Sequence, residues 1–106
     1  MVDRCLQLIE TSAGQSTVAQ LASEIGASSR HLTRRFQDAV GVNPKEFSRL
    51  QRFLHALRLL RKQEHETLTE TALACGYFDQ AHFNHDFREF AGITPGELFT
   101  FPNLAF

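Results

Sequence analysis

The chain repeats itself once. Ala22-Ser-Glu-Ile-Gly26 returns as Ala72-Leu-Ala-Cys-Gly76, an offset of 50 residues. Leu32, Phe36, Gly41-Val-Asn-Pro44 and Glu46-Phe47 return as Phe83, Phe87, Gly92-Ile-Thr-Pro95 and Glu97-Leu98, an offset of 51. The extra residue assigns a longer turn to the second copy. A period this long, met only twice, does not suit a solenoid. It suits two copies of one supersecondary unit.

Each copy reads as two short helices crossing closely. A small residue, a glycine four later and an aliphatic six later describe two helices that meet at a tight turn. In the first copy, Ser16-Thr17 opens a helix, with Thr17 and Gln20 at capping-box spacing. Val18, Leu21, Ala22 and Ile25 give it an apolar face, and Gly26 ends it. Ser28 caps the next helix, whose inner face is Leu32, Phe36 and Val40 and whose stop is Gly41. In the second copy, Thr69 is expected to open the short helix and Gly76 to end it. Asp79 then caps a helix with Phe83, Phe87 and Phe90 inward, closed by Gly92.

Both copies finish on one device, a cap residue, then proline, then glutamate: Asn43-Pro44-Lys45-Glu46 and Thr94-Pro95-Gly96-Glu97. Proline suits the first helical position, and the glutamate completes a capping pattern. The first device predicts a long helix to about Lys62, with Phe47, Leu50, Leu54, Leu57 and Leu60 or Arg61 at helical spacing. The second predicts a short helix around Glu97–Phe101. Val2–Thr11 adds a leading helix with Val2, Cys5, Leu6 and Ile9 inward. No run alternates with period two. The expectation is an all-α fold of about seven helices, in two helix-turn-helix subdomains joined by a long linker helix. Its divisions are 1–42, 43–63 and 64–106.

At 106 residues the chain has room for one modest domain. No apolar run approaches the roughly 20 residues that span a membrane, so no membrane is expected. The segment Met1–Ile9 carries Asp3 and Arg4, unlike a secretory signal. Cys5 and Cys75 have apolar neighbours and no metal-knuckle spacing, as in a reduced, cytoplasmic protein with two buried thiols. The net charge of −1 hides a division. Up to Gln63 there are ten Lys/Arg against five Asp/Glu; from Glu64 onward there is Arg88 against seven acids. The two copies therefore have unlike electrostatics.

The segment from Ala72 to Glu97, with Gly76, Phe83, Phe87, Gly92 and Pro95, resembles the signature of the AraC/XylS family of bacterial transcription regulators. Leu21-Ala22, Gly26, Ser28, Leu32, Phe36 and Gly41 resemble that family's first helix-turn-helix, and Arg52, Ala56 and Leu59-Leu60 fit its linker helix. The resemblance covers nearly the whole chain. It implies a DNA-binding domain whose two recognition helices, about 28–40 and 79–91, enter successive major grooves of double-stranded DNA. Independently, a helix of about 19 residues spans roughly 28 Å, near the approximately 34 Å repeat of B-DNA. The resemblance also implies a separate ligand-sensing or dimerisation domain, usually N-terminal, so the chain is expected to be a piece of a longer regulator.

With Leu32 and Phe36 inward, Ser29, Arg30, Thr33, Arg34 and Gln37 are left outward. By resemblance, Arg30, Thr33 and Arg34 fall at base-reading positions. Arginine suits guanine because its planar fork bonds both major-groove acceptors. His31 and Arg35 are assigned to phosphate or solvent. In the second copy, Gln80, Ala81, His82, Asn84 and His85 are outward. Gln80, Ala81, His82 and His85 match the family's contact positions. An amide can pair with adenine, and alanine can meet a thymine methyl. Arginine is frequent in the family where this chain has His85. Thr71 stands where an aliphatic is usual. Phosphate contacts are expected from Ser16, Thr17, Lys45 and Thr69, near helix N-termini that attract anions.

Three other readings compete with DNA binding by both copies. Asp79, His82, His85 and Asp86 lie close in sequence, but zinc needs further converging ligands, so no metal or other cofactor is expected. There is no glycine-rich phosphate loop and no nucleophile constellation, so no enzyme is expected. In the third, only the first copy reads DNA and the acidic second copy docks a protein such as RNA polymerase. The apolar tail from Leu98 to Phe106 is expected either to pack on the second copy or to form a contact surface.

Overall fold

Helix boundaries in this chain follow side chains that replace missing backbone partners. Thr17 Oγ1 accepts from Gln20 N–H while Gln20 Oε1 accepts from Thr17 N–H, a complete capping box. Ser28 Oγ accepts from His31 N–H, Asn43 Oδ1 from Glu46 N–H and Asp79 Oδ1 from His82 N–H. The computed structural model describes residues 1–62 and 67–98. Among them are seven helices and no strand: α1 Val2–Thr11, α2 Val18–Ile25, α3 Ser29–Val40, α4 Pro44–Lys62, α5 Leu68–Ala74, α6 Gln80–Ala91 and α7 Pro95–Leu98. The fold is all-α, as the repeat requires.

The chain divides into two units, Met1–Arg52 and Phe53–Phe106, and the boundary falls inside α4. In the first unit, α1, α2 and α3 pack on one another. Cys5, Ile9, Leu21, Ala22, Leu32 and Phe36 are buried together, with Val2, Leu6, Leu8, Ile25, Val40 and Phe47 partly covered around them. Each fully buried large side chain contributes about 1.5–3 kcal/mol, so this cluster carries the unit. Phe36 meets Phe47 edge-on at 5.7 Å, joining α3 to the start of α4. Burial pushes the Cys5 thiol above its ordinary pKa, and Cys5 and Cys75 are both buried free thiols.

A second contact in this unit is less visible in the sequence. After α1 the chain turns through Ala13 (φ 52°) and Gly14 (φ 78°), both left-handed. A Cβ on Gly14 would overlap the Ser48 carbonyl oxygen and lie 2.8 Å from Arg52 N. Arg52 Nη2 donates to Gly14 O at 2.9 Å. The turn therefore lies directly against α4, and Arg52 holds it through the Gly14 carbonyl.

In the second unit, α5 packs on α6 and α6 on α7. Rings run through its interior. Phe53 meets Phe87 at 5.1 Å, Phe87 meets Phe83 at 5.7 Å, and Phe83 meets Tyr77 at 5.0 Å. The α4 residues buried in this unit are Phe53, Ala56 and Leu60. The expected stripe of Leu50, Leu54 and Leu57 is only half-buried. Hydrophobic spacing along one helix could not anticipate that the two ends of α4 belong to different units.

Two further expectations are corrected. Thr67, not Thr69, caps α5, its Oγ1 accepting from Glu70 N–H at 3.0 Å. Both threonines precede the apolar run, so spacing alone does not separate them. Phe90 is 37% exposed and stacks on Phe53 at 5.2 Å, at the border of the core rather than within it. The last helix, α7, opens at Pro95 as the capping device expects and is described to Leu98; residues 99–106, with the rest of the expected helix and most of the apolar tail, lie outside the described residues. Thr71 is buried without loss, because its hydroxyl donates to Thr67 O at 3.0 Å.

Candidate nucleic-acid interface

The outer face of α3 follows from burial of Leu32 and Phe36. With those two turned inward, Arg30, His31, Arg34 and Arg35 are exposed and Thr33 is half-buried. Ser28, Arg30, His31 and Arg34 line one shallow depression at the start of the helix. Among the described residues, Arg30, Arg34 and Arg35 make no ion pair with another side chain of this protein. An uncompensated cationic helix face is suited to a polyanion, whose phosphates gain from neutralisation. Arg49 differs, since its Nη1 pairs with Glu46 at 3.0 Å.

At the start of α2, Ser16 N–H donates to Ser12 Oγ and Thr17 N–H to Gln20 Oε1. Thr17 Oγ1 accepts from Gln20 N–H, so its own hydroxyl hydrogen is what it can offer outward. Lys45 is exposed in the first turn of α4.

The corresponding face of α6 is more committed to its own protein. Ala81 and His85 are exposed, while Gln80, His82 and Asn84 are half-buried. The Asn84 Oδ1 atom is buried without a hydrogen-bond partner. His82 Nδ1 accepts from Phe78 N–H at 3.3 Å, its ring sits edge-on to Tyr77 at 5.2 Å, and its Nε2 lies 3.8 Å from Asp86 Oδ2. Both ring nitrogens therefore face internal groups. His85 Nδ1 lies 3.7 Å from Asp86 Oδ1. Asp86 itself is buried, at 3% exposure. Thr69 Oγ1 is 2.6 Å from Gln80 Oε1, a bond between residues 11 apart in sequence that no local pattern reveals.

His85 and Asp86 group with Glu89, one ligand atom of each lying within 4.8 Å of the others. Asp79 is instead occupied in capping α6. Phe78, in the turn before α6, is 85% exposed. No helix among the described residues is long and apolar enough to cross a membrane.

Residues 21–100 match the family model of a helix-turn-helix domain. The chain is 37% identical over 90 residues to the HTH-type transcriptional regulator GlxA of Rhizobium meliloti (strain 1021), an overlap of 85% of this chain and 26% of that protein. It thus spans about a quarter of that curated relative's length. Among solved structures, it is similar to a probable AraC family transcriptional regulator from Rhodopseudomonas palustris CGA009, with TM-score 0.79 and 32% identity, covering 93% of this chain and 94% of that one. It is also similar to the DNA-binding domain of AdpA, a global transcriptional factor solved in complex with a target DNA, with TM-score 0.81 and 27% identity over 93% of this chain and 89% of that one. The tandem repeat, the capped helix pairs and these likenesses agree: the chain belongs to the AraC/XylS family of transcription regulators, as their helix-turn-helix DNA-binding domain.

Proposed function

We propose that the chain binds double-stranded DNA by inserting α3 and α6 into successive major grooves, with Arg30, Thr33 and Arg34 reading bases from α3 and Gln80, Ala81 and His85 from α6, while His82, expected from sequence to read a base, is held by Phe78 N–H and Asp86 and positions the helix. The observation that carries this reading is the outer face of α3, where Arg30 and Arg34 are exposed and make no internal ion pair. Their guanidinium forks match the O6 and N7 acceptors of guanine. Ser16, Thr17 and Lys45 supply phosphate contacts. The repeat in the sequence gives α6 the same station in its unit that α3 has in the first. The chain acts as the DNA-binding part of a longer cytoplasmic regulator, with a ligand-sensing or dimerisation domain elsewhere in that protein.

The test is a footprint and a salt titration on duplexes that this chain selects from random-sequence DNA. Two engaged units protect two successive major grooves and give a steep fall in affinity with salt. Protection of one groove overturns the two-helix reading.

A second reading has its own support. The portion from Glu64 onward carries seven acids against one Arg, and Phe78 and Leu73 are 85% and 57% exposed. Acidic charge beside exposed apolar side chains suits a protein partner better than a polyanion. In that reading only the first unit holds DNA and the second docks a protein such as RNA polymerase. A one-groove footprint together with a direct complex with purified polymerase favours it.

A further inference from the structure

We propose that Thr69 is a positioning residue for base reading by α6: its hydroxyl fixes which way round the Gln80 amide is presented to DNA. The inference rests on the reading of α6 as a recognition helix. Thr69 lies in the first turn of α5 and Gln80 is the first residue of α6, so the bond joins the two helices of the motif where both begin.

The bond runs from the Thr69 hydroxyl to the Gln80 carbonyl oxygen. The 2.6 Å separation of Thr69 Oγ1 and Gln80 Oε1 falls in the O–H···O range and below the usual N–H···O range of about 2.7–3.2 Å. The hydroxyl donates to the carbonyl oxygen, and the amide nitrogen is the uncommitted half of the side chain. This sense matters for reading. Adenine offers an amino group and the N7 acceptor, so a glutamine must present oxygen to the first and nitrogen to the second. A flipped amide sets donor against donor. A carbonyl oxygen has two lone pairs, so Gln80 can hold Thr69 with one and a base with the other.

The same bond changes the role assigned to Thr69 from sequence. Its single hydroxyl hydrogen is spent on Gln80, so it has none left for a phosphate oxygen. Threonine also suits the task sterically, because branching at Cβ restricts χ1 and holds the hydroxyl in one direction.

The experiment uses the full chain with a duplex it selects from random-sequence DNA, and a set of single-base-pair substitutions of that duplex. Gln80→Ala identifies the base pair that Gln80 reads, as the position where discrimination falls. Thr69→Val keeps the shape of the side chain and removes the hydroxyl; Thr69→Ser keeps the hydroxyl. The expected result is a loss of discrimination of about two- to tenfold in Thr69→Val, the scale of one net hydrogen bond. The loss is confined to the Gln80 base pair, leaves the salt slope unchanged, and is largely restored in Thr69→Ser. A loss shared by every duplex, with a shallower salt slope, makes Thr69 a phosphate contact and overturns the proposal. A Gln80-dependent base pair that is indifferent to Thr69→Val overturns the positioning role while leaving α6 as a reader. No Gln80-dependent base pair at all overturns the reading of α6 itself, and the proposal with it.

Discussion

Gly14 and Gly26 have nearly the same backbone, with φ of 78° and 82°, but unlike surroundings. At Gly14 a Cβ overlaps the Ser48 carbonyl oxygen and approaches Arg52 N to 2.8 Å; at Gly26 it meets nothing within 4 Å. Replacing either by alanine costs the left-handed strain, about 1–2 kcal/mol. Gly14→Ala must in addition push the turn away from α4, because the atoms it meets are backbone and cannot rotate aside. That movement breaks the Arg52 Nη2 to Gly14 O bond of 2.9 Å, a partly buried bond from a charged donor worth about 1.5–3 kcal/mol. The expected cost is about 2.5–5 kcal/mol for Gly14→Ala against about 1–2 kcal/mol for Gly26→Ala. A unit of this length has a total stability of only about 3–8 kcal/mol, so Gly14→Ala removes a large share of it. Urea denaturation followed by far-ultraviolet circular dichroism measures both variants, and their difference isolates the close approach from the backbone strain. If Gly14→Ala is no worse than Gly26→Ala, the packing of this turn on α4 is wrong.

Other consequences follow from the same geometry. Arg34→Ala should weaken binding to a selected duplex by about 1–3 kcal/mol and leave the denaturation midpoint unchanged, since Arg34 is exposed and makes no internal ion pair; unchanged specific binding in a mobility-shift titration removes α3 as the reader. Phe53→Ala should destabilise the second unit by about 3–5 kcal/mol, because Phe53 is 8% exposed and touches the rings of Phe87 and Phe90; a loss under about 1 kcal/mol in urea contradicts that packing. Burial, and secondarily the charge of Arg58, lowers the His55 pKa from its ordinary 6.5. The unfolded chain then takes up the proton more readily, so stability present at neutral pH is lost as pH falls through that value. His55→Gln should flatten the stability profile between about pH 7.5 and 5, and an unaltered profile would show that His55 is not responsible.

Much of the fold was legible because its determinants are local. Thr17 with Gln20, Ser28 with His31 N–H, Asn43 with Glu46 N–H and Asp79 with His82 N–H are bonds between residues three apart, and a reader of sequence sees both partners. The cationic outer face of α3 was legible for a similar reason: once Leu32 and Phe36 are inward, helical geometry assigns Arg30 and Arg34 to the outside. The start of α5 is not legible, because Thr67 and Thr69 are equivalent in composition and only the bond from Glu70 N–H separates them.

What the sequence determined by itself is the tandem repeat, its capped helices and the unequal division of charge, because each depends on spacing or counting along one chain. Only the tertiary structure decided which residues of α4 serve which core, since Phe53, Ala56 and Leu60 are chosen by what packs against them. It also decided that Arg52 holds Gly14, 38 residues away, and that His82 turns both nitrogens toward Phe78 and Asp86. The bond from Thr69 to Gln80 belongs with these. Contacts of this kind depend on where two helices cross, and the energy that sets the crossing comes from the whole buried surface rather than from any short run of residues.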